Sequence, residues 1–285
     1  LLDTRQYRDR QACGTPQRPG GMVRAEACAA LRDPTRTLLG AAQEQWLDAA
    51  LSQGGGGWTV MGQQTLFGKR DNHPGPGEAL WNDGWDGYAG ARQRVTDLLQ
   101  KHRQAAGNPV LLGGDVHENW VGHVKADYER PDSQAVGVEF CGTSITSRAG
   151  GAAQAPRRLA ENPHFIFADA QRRGYGVCEF TPAGMTTTLR VVDDVENPDA
   201  RIYTLARFAV RAGRQRFAGH PTDAEVEYGA HVEVVGDEQA VVAPALAQQA
   251  VDDGGRVRGG AFGGERGEGG VAGHDGGAGV AGELA

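Results

Sequence analysis

No run of 18 apolar residues occurs anywhere in the chain, so the sequence holds no segment able to cross a bilayer as a helix. Basic residues do not outnumber acidic ones. The net charge is −7, which argues against nucleic-acid binding, normally marked by a basic patch or stripe. Nothing before Leu38 resembles the apolar core of a signal peptide. The chain opens Leu-Leu-Asp-Thr-Arg without an initiator methionine, from which a cut through a larger protein is expected; that end supports no inference about targeting. The elbow Gly-x-Ser-x-Gly of serine hydrolases is missing too, so Gly142-Thr143-Ser144 is discounted as a nucleophile.

What is present suffices for a core. Hydrophobic residues make up 39% of 285 positions, enough for one large domain or two ordinary ones. The glycines are not evenly spread. Residues 251–285 alone contain 14 of them, and after about His220 the apolar residues are mostly Ala and Val. Such a segment buries too little surface to offset its ordering entropy. The sequence therefore divides into an ordered part, 1–218, and a Gly/Ala-rich tail, 219–285, expected to be disordered.

Periodicity places the elements of the ordered part. Residues 38–51 carry apolar side chains at 39, 42, 46, 47 and 50, one face of an amphipathic helix that the glycines at 54–57 end. Residues 58–64 read as a short buried strand. A second helix is expected over 86–103, with Tyr88, Ala91, Val95, Leu98 and Leu99 on one face, stopped by Gly107 and Pro109. Val110-Leu111-Leu112 is then a compact strand. Strand, helix, strand at these lengths is a βαβ unit with parallel pairing. Further strand-like runs at 136–140, 176–180, 186–192 and 202–210 have few helices between them, which predicts an antiparallel end to the same sheet.

Cys13 and Cys28 lie in a segment rich in Gly, Pro and Arg that a disulfide would restrict, although two free thiols fit the composition equally well. Cys141 and Cys178 sit in apolar strands and read as small core residues.

The chemistry concentrates at Gly113-Gly114-Asp115-Val116-His117-Glu118-Asn119-Trp120. Ligand sites in open α/β sheets lie beyond the carboxyl ends of strands. If this segment is extended, Asp115 and His117, two apart, point the same way. A carboxylate and an imidazole together suit a divalent or trivalent metal. Asn119 could add an amide oxygen or a hydrogen bond to substrate. The competing reading is a surface turn capped by Asp115. Arg5 or Arg8 could contact a phosphate, or be held in internal ion pairs; Gln63, Gln64, Asp83 and Asp86 could line a pocket, or act as turn and capping residues.

Several runs, in order, resemble one family: Leu2-Asp3-Thr4-Arg5-Gln6-Tyr7-Arg8-Asp9, Asn82-Asp83-Gly84-Trp85-Asp86-Gly87-Tyr88, the motif around Asp115, Val138-Glu139-Phe140-Cys141-Gly142-Thr143-Ser144, and Asn162-Pro163-His164. They are similar to signatures of the alkaline phosphatase D (PhoD-like) family, over about residues 1–215. The resemblance implies an α/β fold, part of a calcineurin-like metallophosphoesterase sandwich. It implies hydrolysis of phosphomonoesters and phosphodiesters by metal-activated water, with calcium and iron as cofactors. It makes Asp115 and His117 metal ligands or phosphate contacts, and His164 a further ligand candidate alongside the reading of a histidine bonding a loop carbonyl. Export of the family, to the periplasm or outside, favours the Cys13–Cys28 disulfide. The family's Asp-Asp-His-Glu element is absent, as are Gly-Asn-His-Asp/Glu and Gly-His-x-His. A half-site, inactive alone, is therefore expected. The rival class is a non-catalytic extracellular binding module.

Overall fold

The structure, a computed structural model, describes residues 1–130, 132–147, 155–192, 194–213 and 241–242. The expected tail, 219–285, lies outside the described residues except for Val241–Val242.

The βαβ unit read from the sequence is present. Strand β2 (Trp58–Gly62) leads through helix α2 (Ala89–Lys101) to β4 (Asn108–Gly113), and the two strands pair in parallel, Trp58 opposite Asn108 and Gly62 opposite Leu112. Ala91, Val95 and Leu99 form the buried stripe of α2, at the three- and four-residue spacing that puts side chains on one face. Along β4 the side chains alternate. Val110 enters one hydrophobic core and Leu111 the other, as expected of a strand covered on both faces.

The remaining strands of this sheet are β5 (Asn119–Lys125), β6 (Ala135–Cys141) and β7 (Phe165–Asp169), and the pair Val241–Val242 (β11) adds to β7. The order is β11-β7-β5-β6-β4-β2. β6 is parallel to β4, while β5 runs antiparallel to both β6 and β7.

Two sequence expectations change here. The antiparallel strands β8 (Arg173–Phe180), β9 (Gly184–Val192) and β10 (Ile202–Arg211) do not extend the first sheet; they form a second one, order β10-β9-β8. Its inward residues Met185, Leu189, Val191, Phe208 and Val210 pack on Val110, Val121, Val138, Phe140 and Phe167 of the first sheet, giving a sandwich. Helix α1 (Ala41–Gln53) begins later than expected. Its buried stripe is Leu47 and Leu51, whereas Trp46 is exposed and Leu39 is buried before the helix starts. Gly54, at φ 61, ends it in the left-handed conformation that favours glycine.

A small subdomain is tied on by the N-terminal segment. β1 (Met22–Arg24) pairs antiparallel with β3 (Ala79–Trp81), and Ala12, Cys28, Leu31 and Leu80 form a satellite core beneath them. Cys13 and Cys28 are disulfide-bonded, with Cα atoms 6.1 Å apart. Cys141 is a buried free thiol and Cys178 a half-buried one. Among the described residues no helix is long and apolar enough to cross a membrane.

Candidate active site

Strand direction decides what can meet. Because β2, β4, β6 and β7 are parallel to one another and β5 is reversed, Gly62, Gly113, Cys141, Asp169 and Asn119 end or begin their strands in one row. Gly62 adjoins Leu112, Gly113 pairs with Cys141, Cys141 with Trp120, and Asn119 with Asp169. The turn carrying Asp115 and His117 joins β4 to β5 within this row, beyond the carboxyl ends of the parallel strands, where ligands of such sheets bind.

The turn is not extended. Asp115 has φ 70 and His117 φ 57, both in the left-handed region, and Val116 N–H closes on the Gly114 carbonyl at 2.8 Å. The alternation argument for convergence therefore fails, and what brings the two residues to one end is the turn itself. Asp115 is exposed and His117 half-buried. Left-handed φ costs an ordinary L residue roughly 1–2 kcal/mol, and Asp or His less, so surrounding contacts help to hold the turn.

Those contacts are identifiable. Arg173 Nη1 donates to the His117 carbonyl at 2.7 Å and to Thr143 Oγ1 at 2.6 Å, while Nη2 donates to the Ala170 carbonyl at 2.7 Å. The Thr143 hydroxyl lies 3.1 Å from the carbonyl oxygens of both His117 and Arg172, and donates to one at a time. Asn119 Oδ1 accepts the Thr143 backbone N–H at 3.1 Å; its Nδ2 is buried, with no hydrogen-bond partner among the described residues. Cys141 Sγ lies 3.4 Å from the Gly114 carbonyl.

Glu118 anchors the far side of the turn. It is 3% exposed, pairs with Arg158 at 2.9 Å and Arg70 at 3.1 Å, and accepts the Trp120 indole N–H at 2.8 Å. A buried carboxylate needs such compensation. Arg70 reaches it because Glu139, 1% exposed, accepts the backbone N–H groups of Phe67 at 2.5 Å and Gly68 at 2.8 Å, fixing the loop that carries Arg70. Burial pushes the Glu139 carboxyl up to about 7, against the opposing pull of those two N–H groups and of Arg92.

Gly113 and Gly114 differ in role. A Cβ on Gly113 would strike the Thr65 carbonyl and the Gln63 side chain, so its bareness admits the neighbouring loop rather than a ligand. Gly114 has room for a Cβ.

The other sequence candidates separate. His164 stands just before Phe165, at the start of β7, and Phe165 pairs with Gly122 while Asp169 pairs with Asn119. Four extended residues, roughly 13 Å, thus lie between it and the row of strand ends. Its ring packs against Tyr128 and Phe165, centroids 5.0 and 4.4 Å away, and bonds the Lys69 backbone. Burial lowers its pKa to about 3, so it is a neutral structural histidine in this setting. Arg5 is engaged by Asp83, Nη2 to Oδ2 at 2.9 Å, and Arg8 pairs with the same carboxylate at 2.9 Å. Gln64 accepts the Thr4 N–H at 2.8 Å and donates to the Leu2 carbonyl at 2.8 Å, tying the N-terminal segment to the end of β2. Asn162 brackets Asp71 and the Arg158 carbonyl.

Arg173, Thr143 and Glu118 were not predicted as site residues. Thr143 was set aside with Gly-Thr-Ser as a poor nucleophile, and its hydroxyl instead supports His117. The one available signal is Glu118, an acid immediately before a strand that is buried almost throughout, β5, where a cation partner makes it tolerable.

As donors, the Asp115 carboxylate and His117 imidazole are of types that bind calcium and iron. Among the described residues, however, no group of three or more His, Cys, Asp or Glu could hold a metal ion. Two donors on one turn, without a third among the described residues, do not make a metal site by themselves.

Comparison with known proteins agrees with this architecture. A family model described as PhoD-like phosphatase matches residues 1–189. Alkaline phosphatase D of Bacillus subtilis (strain 168) is 39% identical over 211 residues, covering 73% of this chain and 34% of that protein. A solved structure of PhoD is similar at 38% identity with a TM-score of 0.65, over 74% of this chain and 39% of that one. The chain spans about a third of the length of the curated relative it matches. With that match across the strands and the Asp115 turn, the chain belongs to the PhoD-like phosphatase family.

Proposed function

We propose that the chain is the site-bearing carboxyl-side part of a metal-dependent phosphoester hydrolase, acting on phosphomonoesters or phosphodiesters, with calcium and iron as its metals. The observation that carries this reading is the Asp115–His117 turn. Two donors of different type are held under backbone strain at the strand ends of a PhoD-family sheet. Strain retained at non-glycine residues points to a chemical requirement.

Asp115 and His117 would hold metal. When bound, such ions supply acidified water and neutralise charge on the phosphoryl oxygens. The protein's own residues position and stabilise. Arg173 and Thr143 fix the His117 backbone, which aims its ring. Asn119 Nδ2, a buried donor without a partner among the described residues, is available to an acceptor at the site. Glu118 is neutralised by Arg70 and Arg158, so it adds little net negative charge where an anionic substrate arrives.

We also propose export, to the periplasm or the exterior. The Cys13–Cys28 disulfide supports this, since disulfides persist in oxidising compartments.

Metal content and p-nitrophenyl phosphate hydrolysis of the purified chain, with calcium and iron supplied, test the reading. Two protein donors are expected to give weak metal binding and no turnover. Robust turnover by the 285-residue chain alone, lost in His117→Ala, would overturn the incomplete-site reading. Metal binding unchanged in the Asp115→Ala, His117→Ala double variant would overturn the assignment of the site.

A further inference from the structure

A buried carboxyl away from the donor turn is built into what holds it. Along β6, Val138 and Phe140 pack toward the second sheet, so Glu139 between them points to the opposite face, where α2 and the loop 66–72 lie. Side chains receive the backbone N–H groups of that loop. Phe67 donates to Glu139 Oε1 at 2.5 Å and Gly68 to Oε2 at 2.8 Å. The Arg70 N–H goes to Asp86 at 3.2 Å and that of Asp71 to Asn162 at 2.8 Å. Gly68 has to be bare for this, since a Cβ there would lie 2.7 Å from the Phe165 ring and 3.0 Å from Glu139 Oε2. The loop leads directly to the site. The Arg70 guanidinium pairs with Glu118 at 3.1 Å and lies over the Trp120 ring, 5.5 Å from its centroid. Glu118, next to His117, also accepts the Trp120 indole N–H at 2.8 Å.

The two N–H groups of Phe67 and Gly68 fit a charged acceptor. A carboxylate takes one bond on each oxygen, and both are charge-assisted. A neutral carboxyl keeps one good acceptor and has to place a proton where the second N–H points. The groups around Glu139 are otherwise engaged. Arg92 of α2 pairs with Asp86 at 2.5 Å and lies over the Tyr128 ring, 5.0 Å from its centroid. Burial pushes up both the Tyr128 hydroxyl and the Cys141 thiol, which keeps them protonated. Burial lowers His164, which bonds the Lys69 backbone, and keeps it neutral. The Lys69 ammonium is taken by Glu78 at 2.6 Å and Glu129 at 2.7 Å. Glu139 itself, raised by burial to about 7, changes charge near neutrality.

We propose that Glu139 is a proton-controlled positioning residue, whose carboxylate locks the loop 66–72 and, through Arg70 and Glu118, steadies the turn that carries His117. Protonation frees one of the two N–H groups and slackens that chain of contacts. The lock is closed in neutral-to-alkaline solution and open in mild acid. One proton thereby acts in opposite directions on the loop and on the whole fold. Removing a buried charge raises global stability toward acid, as for any carboxyl whose folded pKa is raised. The loop meanwhile loses a charge-assisted bond. A carboxyl that only fills its place in the core would not set the two against each other. What the lock serves rests on the proposed function; the lock itself is read without turnover.

The test is an NMR titration of the full chain from mildly alkaline to mildly acidic pH. It reads the Glu139 carboxyl carbon, the Phe67 and Gly68 amides and the Trp120 indole N–H. All four are expected to move with one midpoint, near 7. Exchange protection of the two amides should fall about tenfold toward acid, the difference between a charge-assisted and a neutral hydrogen bond, while urea stability rises. In Glu139→Gln these movements are lost at every probe. In Arg70→Met the two amides still titrate and the indole no longer follows them. Amide protection that stays flat, or that rises toward acid with the global stability, overturns the lock. An indole that ignores the Glu139 midpoint in the unaltered chain overturns the positioning of the turn. Should either variant fail to fold, the coincidence of midpoints in the unaltered chain decides. Metal binding unchanged in the Asp115→Ala, His117→Ala double variant would sink the proposed function alone and leave the lock standing.

Discussion

Replacing Asp115 by glycine and by alanine separates backbone strain from side-chain chemistry. Asp115 sits at φ 70 with its side chain exposed, so few packing contacts confuse the comparison. Alanine keeps the Cβ that crowds the next carbonyl in the left-handed region, at roughly 1–2 kcal/mol. Glycine removes that cost but gives the unfolded chain more freedom, worth roughly 0.4–1 kcal/mol. The difference leaves Asp115→Gly more stable than Asp115→Ala by about 0.5–1 kcal/mol. At a loop position of ordinary negative φ the sign reverses, because only the unfolded-state term remains. Urea unfolding followed by the fluorescence of Trp85 and Trp120, both fully buried, reads the difference as a shift in midpoint at constant slope. His117, at φ 57, should give the same sign for its glycine and alanine variants. Alanine variants as stable as the glycine ones at both positions would refute the strain argument and with it the reason for calling this turn functional. The expected result would mean that these two positions disfavour an ordinary β-carbon, a cost that the polar side chains of Asp115 and His117 meet in part.

Glu139 and the disulfide offer two further checks. A carboxyl whose folded pKa is raised from 4.5 to about 7 contributes stability that is full below 4.5 and is lost as pH rises through 7. That is a loss of about 3 kcal/mol relative to Glu139→Gln. His164, lowered to about 3, acts in the opposite direction, its contribution being present above about 6.5 and lost as pH falls; subtracting the Gln variant isolates the carboxyl. Equal pH profiles of urea stability for the two proteins would show that Glu139 does not titrate as described. For the disulfide, the sequence separation of 15 corresponds to about 3 kcal/mol of loop-closure stabilisation. Urea unfolding with and without reductant measures it, and an unchanged midpoint would mean that the subdomain built on β1 and β3 holds without the bridge.

The parts of this molecule legible in sequence are those whose signal is local. β2, α2 and β4 were placed by apolar spacing and by the glycine and proline that end them. The second sheet was not separated from the first, because Met185, Leu189 and Val191 alternate in the same way whichever sheet they join; only the partner across the sandwich distinguishes the cases. Counting puts Trp46 on the buried face of α1, yet it is exposed and lines a shallow groove with Trp58 and Val60 of β2, a neighbour that the helix pattern does not specify. The Asp115 turn is legible as a strand end followed by metal-type donors, whereas its left-handed torsions are not, because an extended Asp-x-His fits the same residues. His164 illustrates a different limit. Its place in a family-like run made it a ligand candidate, and what removes it from the row of strand ends is the direction of β7, which no residue near it encodes. Arg5 met Asp83 from 78 residues away. The same holds for the residues that matter most to His117. Thr143 follows β6, and Arg173 opens the second sheet, so the clamp on the turn exists only once both sheets have packed. A site assembled this way depends on the completed sandwich, so substitutions that separate the two sheets are expected to loosen the His117 turn before they touch any donor.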